Sequence, residues 1–274
     1  MLGDVTFGQY YNARSFLHKT DPRTKILLLI AYIVAVFLAQ NFLSLAAVLV
    51  FLIVAIIFSS VPLGSVLRSV KAIFFLILFM FVLNVLFHVR QEGETVYFWV
   101  ITKEGLISAS FLSARLILLV TGSSLLTLTT TPVSLTDGIE SLLKPLNLVK
   151  FPVHDLALVM SIALRFIPTL ANETDRIISA QKARGADFES GNIFSRIKAL
   201  VPVLIPLIIS ALRRADELGD AMDARCYTGS KNRTKYKKLT FTFRDIVATL
   251  FVAALITGVV LLNVYYAQIV AVIF

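Results

Sequence analysis

Between Ile26 and Phe58 the chain runs for 33 residues without a charged side chain. One helix of that length would be about 50 Å long, against roughly 30 Å of bilayer hydrocarbon. Gln40 and Asn41 break the run, which predicts two short spans, 25–40 and 42–59, joined by a tight turn facing out. Few soluble folds can bury such a stretch, and the composition agrees. Only 16% of the residues are charged, where a soluble domain carries about 25%, and the mean hydropathy is +0.83. So much apolar surface needs lipid as its solvent, and the expected fold class is an all-α integral membrane protein with about five transmembrane helices.

Three further spans are expected. Ala72–Phe87 follows "VPLGSVLRSVK", which carries Arg68 and Lys71, and a fourth span covers 105–130. The last, 246–270, contains "ITGVVLL", and no charge follows Asp245. Residues 89–104 read as an outer loop whose Tyr97, Phe98 and Trp99 suit the interfacial aromatic belt. The first 25 residues are polar, with no apolar core or cleavage site, so no removed signal peptide is expected. The organisation expected is an N-terminal segment 1–25, four spans within 26–130, a region 131–245 outside the spans, and a last span in 246–274.

Net charge is +9. The membrane explains it more simply than nucleic acid does, because Lys and Arg collect on the cytoplasmic side of spans. Between Thr131 and Arg244 there are 17 Lys and Arg, against only Arg90 and Lys103 in the outer loop. Positive-inside then puts the N-terminus and 131–245 in the cytoplasm, and five spans leave the C-terminus outside. The run "KNRTKYKK" (231–238) reads as an anchor to anionic lipid. A single cysteine, Cys226, permits no internal disulfide.

The region 131–245 holds two long helical patterns, 153–185 and 193–226, after a short helix at 134–145 that Ser134 or Thr136 could cap and Pro145 stops. Each long pattern starts apolar ("LALVMSIALRFI", "ALVPVLIPLIISAL") and ends charged ("ANETDRIISAQKAR", "RRADELGDAMDAR"). The apolar runs of 12 and 14 residues are too short to span comfortably. Such a helix is expected to lie along the interface, bent at Pro168, Pro202 or Pro206.

The two charged ends repeat. A shift of 41 residues lays Ile177 on Leu218, Ala180 on Ala221, Ala183 on Ala224 and Arg184 on Arg225. In each copy an apolar residue, a small residue and an arginine share one helical face. Small residues permit close approach to a groove, and a guanidinium makes a planar two-pronged contact with a carboxylate that lysine cannot copy. One copy alone would be an ordinary helix end, with Arg on the dipole and Gly185 as the stop. Two copies point to two similar partners.

Other chemistry is thin. Asp216, Asp220 and Asp223 faintly resemble the metal-holding motif of membrane CDP-alcohol phosphotransferases. Ala224 stands where that family needs Gly, and no acid occurs between Asp223 and Asp245. Their alternation with Arg213, Arg214 and Arg225 also reads as a solvated helix. His18, His88 and His154 lack ligand spacing, and there is no P-loop. Arg115 lies inside the fourth span with no acid in any span to pair with, which favours a structural contact or snorkelling.

The sequence resembles the transmembrane T component (EcfT, of the CbiQ-like group) of energy-coupling factor transporters over nearly its whole length. "SFLHKTDPRTKILL" (15–28) is similar to that family's segment leading into the first span. "RFIPTLANETDRIISAQKARGADF" (165–188) and "RRADELGDAMDARCYTG" (213–229) resemble its two signatures. The resemblance implies a non-catalytic energy-coupling subunit in the bacterial cell membrane, working in vitamin or micronutrient uptake. Two cytosolic ABC-type ATPases would use ATP and Mg, a small membrane S component would bind the substrate, and this chain would bind no cofactor. It implies ATPase docking at Ala183, Arg184 and Gly185 and at Ala224, Arg225 and Cys226. An apolar surface including Leu204, Leu207 and Ile208 would hold the S component. Cys226 stands where Gly is commoner in the family. Because Cys tolerates positive φ poorly, a later stop at Gly229 is expected for the second copy. The alternative class is a self-sufficient permease.

Overall fold

The computed structural model describes residues 10–13, 15–87, 96–98, 101–149, 151–188, 192–229 and 239–273. Trp99 and the basic run 231–238 lie outside the described residues, as do the side chains of Tyr97 and Phe98. Eight α-helices, two short 3-10 helices (Leu17–Lys19 and Lys144–Val149) and one short antiparallel pair of strands, Val96–Phe98 with Ile101–Thr102, make up the described regular structure. The chain falls into two compact units.

The larger unit holds Gly8–Ile139 and Leu239–Phe274. Its helices are α1 (Pro22–Leu38), α2 (Phe42–Ser59), α3 (Leu63–Leu86), α4 (Lys103–Thr129), α5 (Pro132–Leu143) as far as Ile139, and α8 (Phe243–Ile273). The break at Gln40-Asn41 is built as expected. Asn41 and Ser44 form a reciprocal cap that starts α2. Arg115 and Asn263 reach this turn from α4 and α8: Arg115 Nη2 donates to the Ala39 carbonyl at 2.5 Å, and Asn263 Nδ2 donates to the Leu38 carbonyl at 2.6 Å. The last carbonyls of a helix have no partner inside it, and here a cation and an amide supply one. The Arg115 guanidinium also lies 4.8 Å over the Phe111 ring. Its contact is structural, as one of the two readings of Arg115 had it.

Two expected boundaries move. α3 starts at Leu63, nine residues before Ala72, so Arg68 and Lys71 lie exposed on its first turns, ahead of the expected span. Pro62 precedes the helix where no backbone N–H is needed, and long basic side chains can stay at the interface while their stems follow the helix. α5 starts at Pro132, and its cap is Thr131, whose Oγ1 accepts from Ser134 N at 3.3 Å. Neither Ser134 nor Thr136 caps it, because proline at the first helical position sets the start earlier.

The core of this unit is a seam of small and branched residues where α1, α2, α4 and α8 meet. Ala35 and Val36 of α1, Ala39 at its C-cap, Val48 of α2 and Val259 of α8 are fully buried. Small residues let helices approach closely where lipid gives no hydrophobic drive to pack. Tyr32 is buried against Gly122, its ring stacks on Phe51, and its hydroxyl donates to the Leu118 carbonyl at 3.0 Å. At the other end of α1, Asp21 caps the helix, and its N–H donates to Asp245 Oδ1 at 2.8 Å. Lys25 Nζ donates to Thr129 O at 2.9 Å and to Thr130 Oγ1 at 3.1 Å. The segment "TDPRTK" (20–25) thus ties the start of α1 to the end of α4 and the start of α8.

The second unit covers Glu140–Lys238. Its two long helices, α6 (Val153–Ala183) and α7 (Ile193–Asp223), each have 31 residues and pack on one another. Both run unbroken through Pro168, Pro202 and Pro206.

Among the described residues five helices are long and apolar enough to cross a membrane: α2, α3, α4, α6 and α8 as far as Tyr266. The number agrees with expectation, but the membership does not. α1 has only 17 residues, whereas α6 qualifies by length and composition with a hydropathy of 1.5. From Val153 to Asn172 the only Asp, Glu, Lys or Arg residues are Asp155 and Arg165, so the apolar part of α6 is longer than the 12-residue run.

Candidate functional site

The two Ala-Arg copies end α6 and α7 by the same backbone hydrogen bonds. In the first, Arg184 N donates to Gln181 O (3.1 Å), Gly185 N to Lys182 O (3.0 Å) and Ala186 N to Gln181 O (3.0 Å). In the second, Arg225 N donates to Met222 O (3.1 Å), Cys226 N to Asp223 O (2.8 Å) and Tyr227 N to Met222 O (3.0 Å). Each bond maps onto its counterpart by the shift of 41. The pattern is a left-handed helix stop of the Schellman type.

That stop needs a positive φ at the residue after Arg. Gly185 has φ +87°, and Cys226 has φ +57°. The expectation that cysteine would defer the stop to Gly229 is therefore overturned. α7 ends at Asp223, and Gly229, at φ +91°, lies beyond it. Cysteine is not β-branched, so it enters the left-handed region at a cost of about 1–2 kcal/mol rather than by a clash. The two hydrogen bonds it permits offset that cost.

Ala183, Arg184, Gly185, Ala224, Arg225 and Cys226 are all exposed. Ala180 and Ala221 are exposed as well, while Ile177 and Leu218 on the same faces are half-buried. Among the described residues neither Arg184 nor Arg225 makes an ion pair. Each unit of the repeat thus presents a free guanidinium beside a small-residue surface, which can enter a groove and grip a carboxylate.

Sequence reading missed a third part of the arrangement. Arg214 Nη2 donates to Glu173 Oε2 at 2.5 Å, with each side chain about three-quarters covered. These two residues are themselves related by the shift of 41, so α6 and α7 meet at equivalent positions. Identical residues there would set like charges against each other, and the repeat departs from identity at this point. The same shift lays Arg176 on Glu217 and Lys182 on Asp223, again with opposite sign. That inversion was the available signal.

Of the apolar surface residues, Leu204 and Ile208 are 53% and 49% exposed and one helical turn apart, while Leu207 is half-buried. Ile197, Leu200, Val201, Ile205, Ile209 and Leu212 are exposed too, so the strip on α7 is wider than the three residues named. Asp216, Asp220 and Asp223 are exposed. Among the described residues no group of three or more His, Cys, Asp or Glu is placed to hold a metal ion.

Long apolar helices, five of them able to cross a membrane among the described residues, define a multi-span membrane protein with a pair of exposed cationic helix ends. The family model described as CbiQ, cobalt transport protein, matches residues 13–236. Proteins called energy-coupling factor transporter transmembrane protein EcfT are similar over nearly their full length. That of Clostridium kluyveri is 46% identical over 271 residues, covering 98% of this chain and 100% of its own. That of Brevibacillus brevis is 49% identical over 261 residues (93% and 97%), and that of Bacillus subtilis 44% over 262 (93% and 98%). The chain belongs to the CbiQ-like family of EcfT transmembrane components of energy-coupling factor transporters.

Proposed function

We propose that this chain is the non-catalytic coupling subunit of a vitamin or micronutrient importer, gripping two ABC-type ATPases through Arg184 and Arg225. The observation that carries this reading is the matched pair of helix ends: same stop, same exposed alanines, same unpaired guanidinium. Two equivalent handles suit two equivalent motors. ATP and Mg belong to those motors, and this chain holds neither.

In the proposed cycle, ATP binding draws the ATPases together and carries both docked tips with them. Stiff helices convey that displacement to the apolar strip around Leu204, Leu207 and Ile208. That strip holds a membrane S component, whose movement releases its substrate inward. The distribution of Lys and Arg supports a site in the bacterial cell membrane with the N-terminus and both tips in the cytoplasm and the C-terminus outside.

The test is co-purification. R184E and R225E are each expected to weaken ATPase capture and substrate uptake in parallel, with the double variant losing both. Normal capture together with full uptake in the double variant would end the proposal.

A further inference from the structure

Helices α1, α2, α4 and α8, with the short turn at Leu17–Lys19, enclose a slot of about 270 Å³. It is long rather than round. It follows Lys25 to Tyr32 on α1, Phe51 to Phe58 on α2 and Gly122 to Thr129 on α4. That is two helical turns, or about 10 Å of rise, which fits inside one leaflet of a roughly 30 Å core. The deep end is closed by Tyr32 and Leu52, both 4% exposed. Phe58 and Phe251, 59% and 48% exposed, stand at its open flank.

The polar side chains that line it are Thr20, Lys25, Tyr32 and Thr129. Each hydroxyl is already committed to a backbone carbonyl: Thr20 to Phe16, Tyr32 to Leu118 and Thr129 to Leu125. A hydroxyl-rich or heteroaromatic solute would find almost nothing to bond. Lys25 is different. Its ammonium has three donors, of which Thr129 O and Thr130 Oγ1 take two. One N–H at the polar end of an otherwise apolar slot has no acceptor among the described residues. Apolar cavities of even about 150 Å³ stay dry and take up hydrocarbon.

We propose that this slot seats one acyl chain, with a carbonyl or carboxylate oxygen of its head beside Lys25. The chain enters from the surrounding leaflet past Phe58 and Phe251 and lies along the helices. This proposal needs only that α2, α4 and α8 cross the bilayer. It does not depend on the docking of Arg184 and Arg225.

The full chain is reconstituted in vesicles of phosphatidylglycerol and phosphatidylethanolamine. Photoreactive diazirine is carried either on palmitic acid or on one chain of phosphatidylglycerol. Labelling at Leu126 and Phe251 is expected to exceed that at Phe75, which is 80% exposed on α3 and reports ordinary lipid contact. Ala248→Phe and Ala55→Phe narrow the slot from two different helices. Each is expected to cut slot labelling about tenfold, the loss that goes with filling a binding cavity, while Phe75 labelling stays unchanged. Labelling by the phospholipid alone assigns the chain to a leaflet lipid, and labelling by palmitic acid alone assigns it to a free fatty acid. Slot labelling no higher than at Phe75 in the unaltered protein would overturn the proposal, whatever the variants do. So would labelling that both variants leave unchanged.

Discussion

Arg214 bonds to Glu173 at 2.5 Å, and the two residues are separated by the same 41 positions that separate Arg225 from Arg184. Each terminal arginine therefore stands eleven residues, about 16 Å of helix rise, beyond a shared meeting point. α6 and α7 are two arms of equal reach, pinned where they touch by opposite charges.

The pin is testable by charge exchange. E173R and R214E place like charges at the meeting point, and each is expected to lower the thermal midpoint of the purified protein. The exchanged pair E173R/R214E is expected to recover most of the loss. A partly covered ion pair of this kind is worth about 0.5–1 kcal/mol in a double-mutant cycle. A coupling energy of zero would mean that the contact does not hold the arms together.

Cys226 occupies a left-handed backbone position that glycine occupies in the first copy. C226G is expected to steady the second tip by about 1 kcal/mol. That corresponds to roughly fivefold slower hydrogen exchange at the Cys226 and Tyr227 amides, since every 1.4 kcal/mol is tenfold. C226V, which is β-branched, is expected to speed exchange at the same two amides. G185A should loosen the first tip in the same way.

Gly122 has no room for a side chain. A Cβ there would lie 2.2 Å from Cε1 of Tyr32, and Tyr32 is held by Phe51 and by its bond to Leu118. G122A is expected to displace that ring and to cost about 1–3 kcal/mol, read as a lower unfolding midpoint. Y32F keeps the ring and loses only the hydrogen bond, so its cost should be smaller, about 1 kcal/mol.

Arg115 stabilises the turn between α1 and α2 through the Ala39 carbonyl. R115M is expected to cost about 1.5–3 kcal/mol, the usual worth of a hydrogen bond to a charged group. R115K keeps the charge but not the planar contact over Phe111, so it should fall between the two. Limited proteolysis at Gln40-Asn41 and the thermal midpoint would both report the loss.

Much of the architecture was legible because helices leave local marks. Gln40-Asn41 interrupts an apolar run and is a turn, and the Ala-Arg copies end their helices. Their equivalence followed from one constant offset. The start of α3 was misplaced because charge was read as the end of the span, whereas Arg68 and Lys71 ride on its first turns. The left-handed turn at Cys226 was missed because residue preference argued against it and the hydrogen-bonding demand of the helix end prevailed.

The sequence alone determined the solvent this protein needs, the places where its helices break, and the existence of two matched cationic ends. Those follow from composition and from spacing along the chain, which each segment carries by itself. Only the tertiary structure decided that Glu173 meets Arg214, that Arg115 closes the turn at Ala39, and that Lys25 keeps a spare donor over an apolar slot. Such pairings join residues 41 to 105 positions apart. They depend on which helix faces pack together, and no repeat within a single helix specifies its neighbour.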